Sequence, residues 1–349
     1  MIRFVVVISV YLLIFAYPPA RLLYWIEPAT TTSEPVLGIV FAAPALLYVM
    51  AQPKRFAWRR PVLRAVYFWL GTCFILLCAV LAGEIGRLLF PLNDATVGAL
   101  TLVGATIAVA LGVYRAKHLH VERVTVETNK VGTAVRVVQI SDVHIGSRST
   151  NFLERVVERV NALQPDVVMI TGDLVDMHST TADELRALEK LQAPAFFSVG
   201  NHEIYVGLEK ICDIVAQYGI TVLRGAAAQH GPLQIIGIDD SPSPHTVARE
   251  LDGLHVDADR FSVLLYHRPD GLEDAADRGI DLMLCGHTHN GQIVPFNYAV
   301  KRQFPRIRGR YDHGSTTLYV SPGTGTWGPT LRLGSNSEIT ELVIQPRDG

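Results

Sequence analysis

Cys285-Gly286-His287-Thr288-His289 follows Asp281-Leu282-Met283-Leu284, a run that reads as a buried strand. Two imidazoles one residue apart, just past a strand end, suit a metal ion. Gly286 lets the backbone bend and lets another group come close. A His-x-His pair alone is common on surfaces, so its meaning depends on matching ligands elsewhere in the chain.

The polar two thirds of the chain, from Val121 onward, alternates short strands with amphipathic helices. Strands are expected at Val135–Ile140, Asp166–Ile170, Ala195–Val199, Leu233–Ile238, Phe261–Tyr266, Asp281–Leu284, Thr317–Val320 and Ile339–Ile344. Helices are expected at Asn151–Leu163, Ala182–Leu191 and Leu208–Tyr218, the last stopping at Gly219. This order predicts a layered α/β domain.

Metal-binding side chains recur just after these strands. They are Asp142 and His144, then Asp173 and Asp176, then Asn201 and His202, then His267, then His287 and His289. Side chains at the carboxyl ends of sheet strands converge on one crevice. Five strand ends that each carry Asp, Asn or His are hard to ascribe to chance.

The ordered blocks Asp-x-His, Gly-Asp, Gly-Asn-His, His and Gly-His-x-His resemble the calcineurin-like metallophosphoesterases, and every block is intact between residues 136 and 289. The resemblance implies a β-sandwich flanked by helices and a two-metal site. It puts Asp142, His144 and His289 on one ion and Asn201, His267 and His287 on the other, with Asp173 bridging. It sets His202 beside the substrate phosphate, and the family's histidine–aspartate pair matches His202 with Asp176. Mixed oxygen and imidazole donors suit Mn, Fe or Zn better than Ca or Mg. Two such ions can generate a metal-bound hydroxide for in-line attack and stabilise the transition state. His202 can then stabilise phosphoryl oxygens or protonate the leaving group, with Asp176 orienting its ring. Met177 stands where the protein phosphatase branch has Arg, which argues against a phosphoprotein substrate.

The first 115 residues differ in kind. The whole chain has 349 residues and is 49% hydrophobic, and the excess lies here. Four uncharged runs, 4–20, 35–53, 65–83 and 95–114, predict four transmembrane helices. Three further spans follow the first run and no small-residue cleavage site stands out, against a cleaved signal peptide. Lys54, Arg55, Arg59, Arg60 and Arg64 fill one loop, and Arg115, Lys117 and Arg123 follow the last run. The positive-inside rule therefore predicts a multi-pass inner-membrane protein whose later residues face the cytoplasm. The domain organisation expected is a membrane region over 1–115, a linker and first strand over 116–134, and a phosphoesterase domain over 135–349.

A net charge of −2 gives no global field for nucleic acid, and four cysteines are too few for a disulfide framework. Cys285 reads as a buried small residue. Gly323-Thr324-Gly325-Thr326-Trp327-Gly328 matches a dinucleotide-binding pattern, but Pro329 follows and no amphipathic helix opens, so it reads as a loop lining the site. Trp327 is a candidate substrate contact. Lys301, Arg302, Arg306, Arg308 and Arg310 interleave with Phe296, Phe304 and Tyr311, which suits an anionic membrane surface or a phosphate-rich substrate. Arg302 and Arg306 are the substrate-binding candidates among them. The expected activity is hydrolysis of a phosphodiester, pyrophosphate or phosphomonoester, with a lipid-linked or nucleotide-linked substrate suggested by the spans. No obligatory protein partner is evident. The alternatives are a membrane sensor or scaffold that binds phosphate without turnover, and a transporter with a regulatory domain.

Overall fold

The computed structural model describes residues 10, 12–27, 43 and 59–347. The chain divides into two compact units. One is Met1–Tyr114 with Gly328–Leu333, and the other is Arg115–Trp327 with Gly334–Gly349.

In the first unit, two helices among the described residues are long and apolar enough to cross a membrane, Arg60–Leu89 and Asp94–Lys117. Both run past the uncharged stretches that predict them, the first through Arg64, Glu84 and Arg87 and the second through Asp94, Arg115 and Lys117. Arg87 meets Asp94 across the connecting turn at 2.7 Å. Four spans are expected from the sequence. The stretch 35–53 lies outside the described residues except for Ala43, and 4–20 is described only at 10 and from 12 onward. There the chain departs from the expected end at Ala20. Pro18 and Pro19 sit in the first turn of the helix Tyr17–Ile26, which follows the helical residues 12–15 after a turn at Ala16; a first-turn proline gives up an N–H that has no partner in the helix anyway. Trp25 is fully buried against Val80 and Val97, and Arg21 pairs with Glu84. The segment Gly328–Leu333 joins this unit through the Arg332 amide, which donates to the Gly112 carbonyl at 2.9 Å.

Among the described residues the second unit carries twelve strands: β1 Leu119–Thr128, β2 Val135–Ile140, β3 Val167–Thr171, β4 Ala195–Ser198, β5 Thr221–Val222, β6 Ala226–His230, β7 Leu233–Gly237, β8 Phe261–Leu265, β9 Leu282–Cys285, β10 Gly309–His313, β11 Thr316–Val320 and β12 Ser337–Pro346. They form two sheets, ordered β1-β12-β2-β3-β4-β5 and β10-β11-β9-β8-β7-β6. The pairs β2–β3–β4–β5 and β7–β8–β9–β11 run parallel, and antiparallel pairing is confined to β12–β2, β6–β7 and β10–β11.

Side-chain alternation explains why the inner strands read as continuous apolar runs. Val135 and Val137 of β2, Val167 and Met169 of β3, and Phe261, Val263 and Leu265 of β8 meet in one core shared by the two sheets. Val138, Ile140, Val168 and Ile170 face the other way, under the helices Thr150–Ala162 and Leu208–Gln217. Leu264 and Met283 are covered by the helices Thr246–Asp252 and Leu272–Asp277. Strands buried on both faces need apolar residues at every position. The result is a mixed α/β fold with two sheets and helices on both outer faces. The expected helix Ala182–Leu191 is only four residues of α-helix, Ala182–Leu185, followed by a 3₁₀ stretch, Arg186–Lys190. The edge strands escape a hydrophobicity reading because β6 is mostly alanine, with Gln229 and His230, and β10 carries Arg310, Asp312 and His313, charges that guard an open edge.

Candidate metal centre

The parallel strands β2, β3, β8 and β9 end at one crevice, and the turn after each supplies a ligand candidate. Gln139, on β2, fixes their spacing. Its Nε2 donates both to Thr171 Oγ1 on β3 and to the Cys285 carbonyl on β9, each at 2.9 Å, so one buried amide bridges the two sheets. Ser141 Oγ donates to Asp142 Oδ2 at 2.7 Å. The His287 amide donates to the same carboxylate at 3.1 Å. This approach requires Gly286, because a Cβ there would lie 2.0 Å from Ser141 Oγ and 2.2 Å from Asp142 Oδ2. The glycine-rich loop lines the back of the site as expected. A Cβ on Gly325 would lie 2.1 Å from the Val143 carbonyl oxygen, and its amide donates to the Asp142 carbonyl at 2.9 Å.

The acids and imidazoles of the predicted set fall into three groups whose donor atoms lie within 4.8 Å of one another: Asp142, His144 and His289; Asp173, His267 and His287; and His144, Asp173 and His202. Asp173 stands in two of them. Asn201 opens the helix Asn201–Val206, and the adjacent His202 amide donates to Asp173 Oδ1 at 2.8 Å.

Five of the seven expected ligands have left-handed backbone: Asp142 (φ 54°), His144 (56°), Asp173 (53°), His287 (69°) and His289 (50°). Such a conformation costs a non-glycine residue about 1–3 kcal/mol, and clusters of it mark functional sites. Here it turns side chains that a regular strand would point to alternate faces into one crevice.

Hydrogen bonds fix which imidazole nitrogen faces the centre. His267 Nδ1 donates to the Thr171 carbonyl at 2.8 Å, leaving Nε2 toward Asp173 Oδ2 at 3.1 Å. His144 Nδ1 donates to Asp176 Oδ1 at 2.5 Å, leaving Nε2 toward His289 Nε2 at 3.0 Å. A carbonyl or carboxylate behind the ring is the usual brace of a metal-ligating histidine.

Three observations show that these residues fit a divalent cation. Asn201 Oδ1 is buried with no hydrogen-bond partner, which is costly unless something else meets it. Two pairs of imidazole nitrogens face each other, His144 with His289 and His267 with His287, the latter at 3.3 Å. Each pair can share one proton at most, while a cation satisfies both lone pairs. The acids are also held ionised. Burial pushes Asp142 up, but His289, His144 and His267 hold it well below the usual carboxylate range. Burial opposes ionisation of Asp173 too, and His267 above all keeps it low. Burial lowers His267, yet Asp173 and Asp142 raise it to about 10. Burial and the charges of His267 and Arg268 depress His287 to about 3.

Comparison with known proteins places this geometry. Residues 135–291 match the calcineurin-like phosphoesterase family. An uncharacterized metallophosphoesterase of Campylobacter jejuni is 35% identical over 273 residues, covering 74% of this chain and 70% of its own length. The chain belongs to the calcineurin-like metallophosphoesterases. An uncharacterized metallophosphoesterase of Aquifex aeolicus is 36% identical over 256 residues, 68% of this chain and 98% of that protein. A Danio rerio transmembrane protein with metallophosphoesterase domain is 32% identical over 234 residues, 60% of this chain and 53% of that protein.

In this metallophosphoesterase Asp176 has a wider role than its sequence position suggests. Its Oδ1 lies 2.9 Å from His202 Nδ1 as well as 2.5 Å from His144 Nδ1, so one carboxylate braces a ligand candidate and the acid candidate. Burial raises Asp176, and His144 and His202 outweigh it and hold it ionised. Trp327 reaches the site: its ring centroid lies 6.1 Å from that of His202. Of the basic candidates, Arg306 is engaged by Glu273, and Arg302 lies in the last turn of the surface helix Phe296–Gln303. Cys285 is fully buried, its thiol donating to the Arg268 carbonyl at 3.1 Å.

Sequence reasoning missed Glu203 and Arg268. The buried Glu203 carboxylate accepts from the amides of Gly200 (2.9 Å), Asp173 (2.9 Å), Leu174 (2.8 Å) and Val175 (3.3 Å), and so joins the two loops bearing Asp173 and Asn201. Its place three residues after Gly200, where an acid caps a helix start, was the available signal. Arg268 Nε donates to both oxygens of Asp240, at 2.8 and 3.0 Å. Its Nη1 lies 3.4 Å from His287 Nε2. A pairing 28 residues apart leaves no sequence signal.

Proposed function

We propose that the chain is a membrane-anchored, metal-dependent hydrolase of phosphodiesters, pyrophosphates or phosphomonoesters, with a lipid-linked substrate the reading most in keeping with its apolar helices. The observation that carries it is the crevice around Asp173, where ionised carboxylates, braced imidazoles and the unpartnered Asn201 oxygen converge. Asp142, His144 and His289 would hold one ion and Asn201, His267 and His287 a second, with Asp173 on both. The donor set favours Mn, Fe or Zn. When bound, such ions supply Lewis acidity, which makes water nucleophilic near neutral pH and offsets phosphoryl charge.

The protein's own side chains supply the rest. His202, half-buried at the edge of the cluster, has its Nδ1 held by Asp176, so its Nε2 faces the crevice, 3.9 Å from Asp173 Oδ2. It is positioned to touch a phosphoryl oxygen or to protonate a departing oxygen. Four spans, with residues after 115 in the cytoplasm, remain the proposed topology. The basic loop 54–64 and the basic residues 115–123 support it.

The test is hydrolysis of an aryl phosphodiester and an aryl phosphomonoester by the full chain, with Mn added after chelation. Asp173→Ala and His287→Ala are expected to lower kcat by at least about a thousandfold, the scale on which lost transition-state stabilisation is felt. Activity that survives both substitutions overturns this reading.

A further inference from the structure

The site has an apolar rim that the metal chemistry does not use. Tyr205 is 61% exposed and its ring lies 5.8 Å from that of His202. Trp327 is 58% exposed on another side of the same imidazole. Trp327 is tied to the turn after His289 by Gln292, whose Oε1 accepts from the Trp327 amide at 3.0 Å and whose Nε2 donates to the Trp327 carbonyl at 3.2 Å. That turn leads through exposed Val294 into the helix Phe296–Gln303, which buries none of its residues. Phe296 and Tyr298 stand exposed on it, Tyr298 at 71%. Lys301 and Arg302 occupy its last turn, and the helix carries no acid.

Exposed aromatics linked along one rim mark an interaction surface. The chemistry narrows the partner. Tyr and Trp favour the boundary between hydrocarbon and water, while lysine and arginine beside them favour anionic headgroups. Apolar aromatics and basic residues on one short surface helix are the composition of helices that bind a bilayer interface, and the chain itself carries two helices of membrane-spanning length.

We propose that this rim, Tyr205, Trp327, Val294, Phe296 and Tyr298 with Lys301 and Arg302, docks on the headgroup layer of an anionic bilayer and brings the His202 edge of the crevice to the lipid phosphates. The inference deepens the membrane-anchored reading above but does not depend on turnover. It makes Arg302 a lipid-surface contact instead of a ligand of the substrate inside the crevice.

The experiment uses the full chain in nanodiscs of phosphatidylcholine and phosphatidylglycerol. An environment-sensitive label is attached through Tyr298→Cys or, as control, through Asp259→Cys, which precedes β8 at the end opposite His267. Brominated acyl chains are expected to quench the label at 298 at least about threefold more than at 259. Lys301→Glu with Arg302→Glu in the Tyr298→Cys background should remove that difference, as should replacing phosphatidylglycerol by phosphatidylcholine. Equal quenching at 298 and 259 overturns the docking whether or not hydrolysis is found. Quenching indifferent to both the charge reversal and the anionic lipid overturns the role of Lys301 and Arg302. Loss of aryl phosphodiester hydrolysis in Asp173→Ala with quenching at 298 intact separates this proposal from the catalytic one.

Discussion

In the two-ion arrangement proposed above, the two halves of the centre share Asp173 but differ in what stands behind their imidazoles. In the half made by Asp142, His144 and His289, an acid stands behind the ring: Asp176 receives His144 Nδ1 at 2.5 Å. In the half made by Asn201, His267 and His287, a neutral carbonyl backs His267. The Arg268 guanidinium, itself paired with Asp240, stands 3.4 Å behind His287. Asp142 adds a full negative charge to the first half, where Asn201 brings none to the second. Anionic backing raises imidazole basicity and strengthens its hold on a cation. A nearby cation does the reverse. If each half holds an ion as proposed, the first is expected to be the tighter binder and the second the more electrophilic.

Glu203 braces the shared part of this arrangement, so its removal is the largest perturbation. Glu203→Ala leaves four buried amides without an acceptor. Each unsatisfied group costs about 1–3 kcal/mol, partly relieved by water, and a total loss of about 3–5 kcal/mol is expected in chemical unfolding. If the halves are built separately, metal retention at Asp142, His144 and His289 should outlast retention at Asn201, His267 and His287.

Asp176→Asn tests the anionic backing itself. The amide keeps the size of the carboxylate but loses the charge that orients both His144 and His202. Loss of such a brace costs about 10–100-fold in affinity or activity. Because two imidazoles are affected here, kcat should fall about a hundredfold or more, with KM for an aryl phosphodiester little changed. A fall confined to KM would mean that Asp176 acts through substrate binding instead.

Much of this site was legible in the sequence because its ligands follow strands whose apolar runs are long and unambiguous. Asp142, Asp173, Asn201, His267 and His287 each come within three residues of a strand end. The two-faced burial of β2, β3, β8 and β9 makes those ends easy to locate. What the sequence did not disclose were pairings across the fold. The double duty of Asp176 depends on left-handed turns at His144 and Asp173, and the Arg268–Asp240 pair on two separate strand ends. β6 was hidden by its run of alanines and β10 by its polar residues. The continuation of the first apolar run to Ile26 was hidden because Pro18 and Pro19 look like a terminus until their place in a first turn is known.

Stepwise removal of metal addresses the comparison directly. With Asp142 and Asp176 behind one half and Arg268 behind the other, chelator titration of a protein loaded with two ions should release them in two steps. Their affinities should differ by about tenfold or more, the scale attributed to partners behind the ligands. Release in a single step would show that Asp173 couples the halves too strongly for their backing to matter.

The smallest effect concerns protons, and its sign follows from His267 and His287. Before metal binds, His267 is raised to about 10 by Asp173 and Asp142 despite its burial. It therefore carries a proton throughout the neutral range. His287, depressed to about 3, carries none. An ion entering this half must displace the His267 proton and no other from its imidazoles. Its apparent affinity should then rise with pH by about tenfold per unit between pH 6.5 and 8.5, one proton released per ion. The metal-free protein should show the opposite trend. The stabilisation from a histidine raised in the folded state is fully present below the unfolded value near 6.5 and is lost as pH climbs toward 10. Competition binding of Zn or Mn across that range, beside unfolding of the metal-free chain, reads both slopes. A pH-independent affinity would mean that His267 is already neutral in the metal-free site, and that Asp173 does not hold its proton.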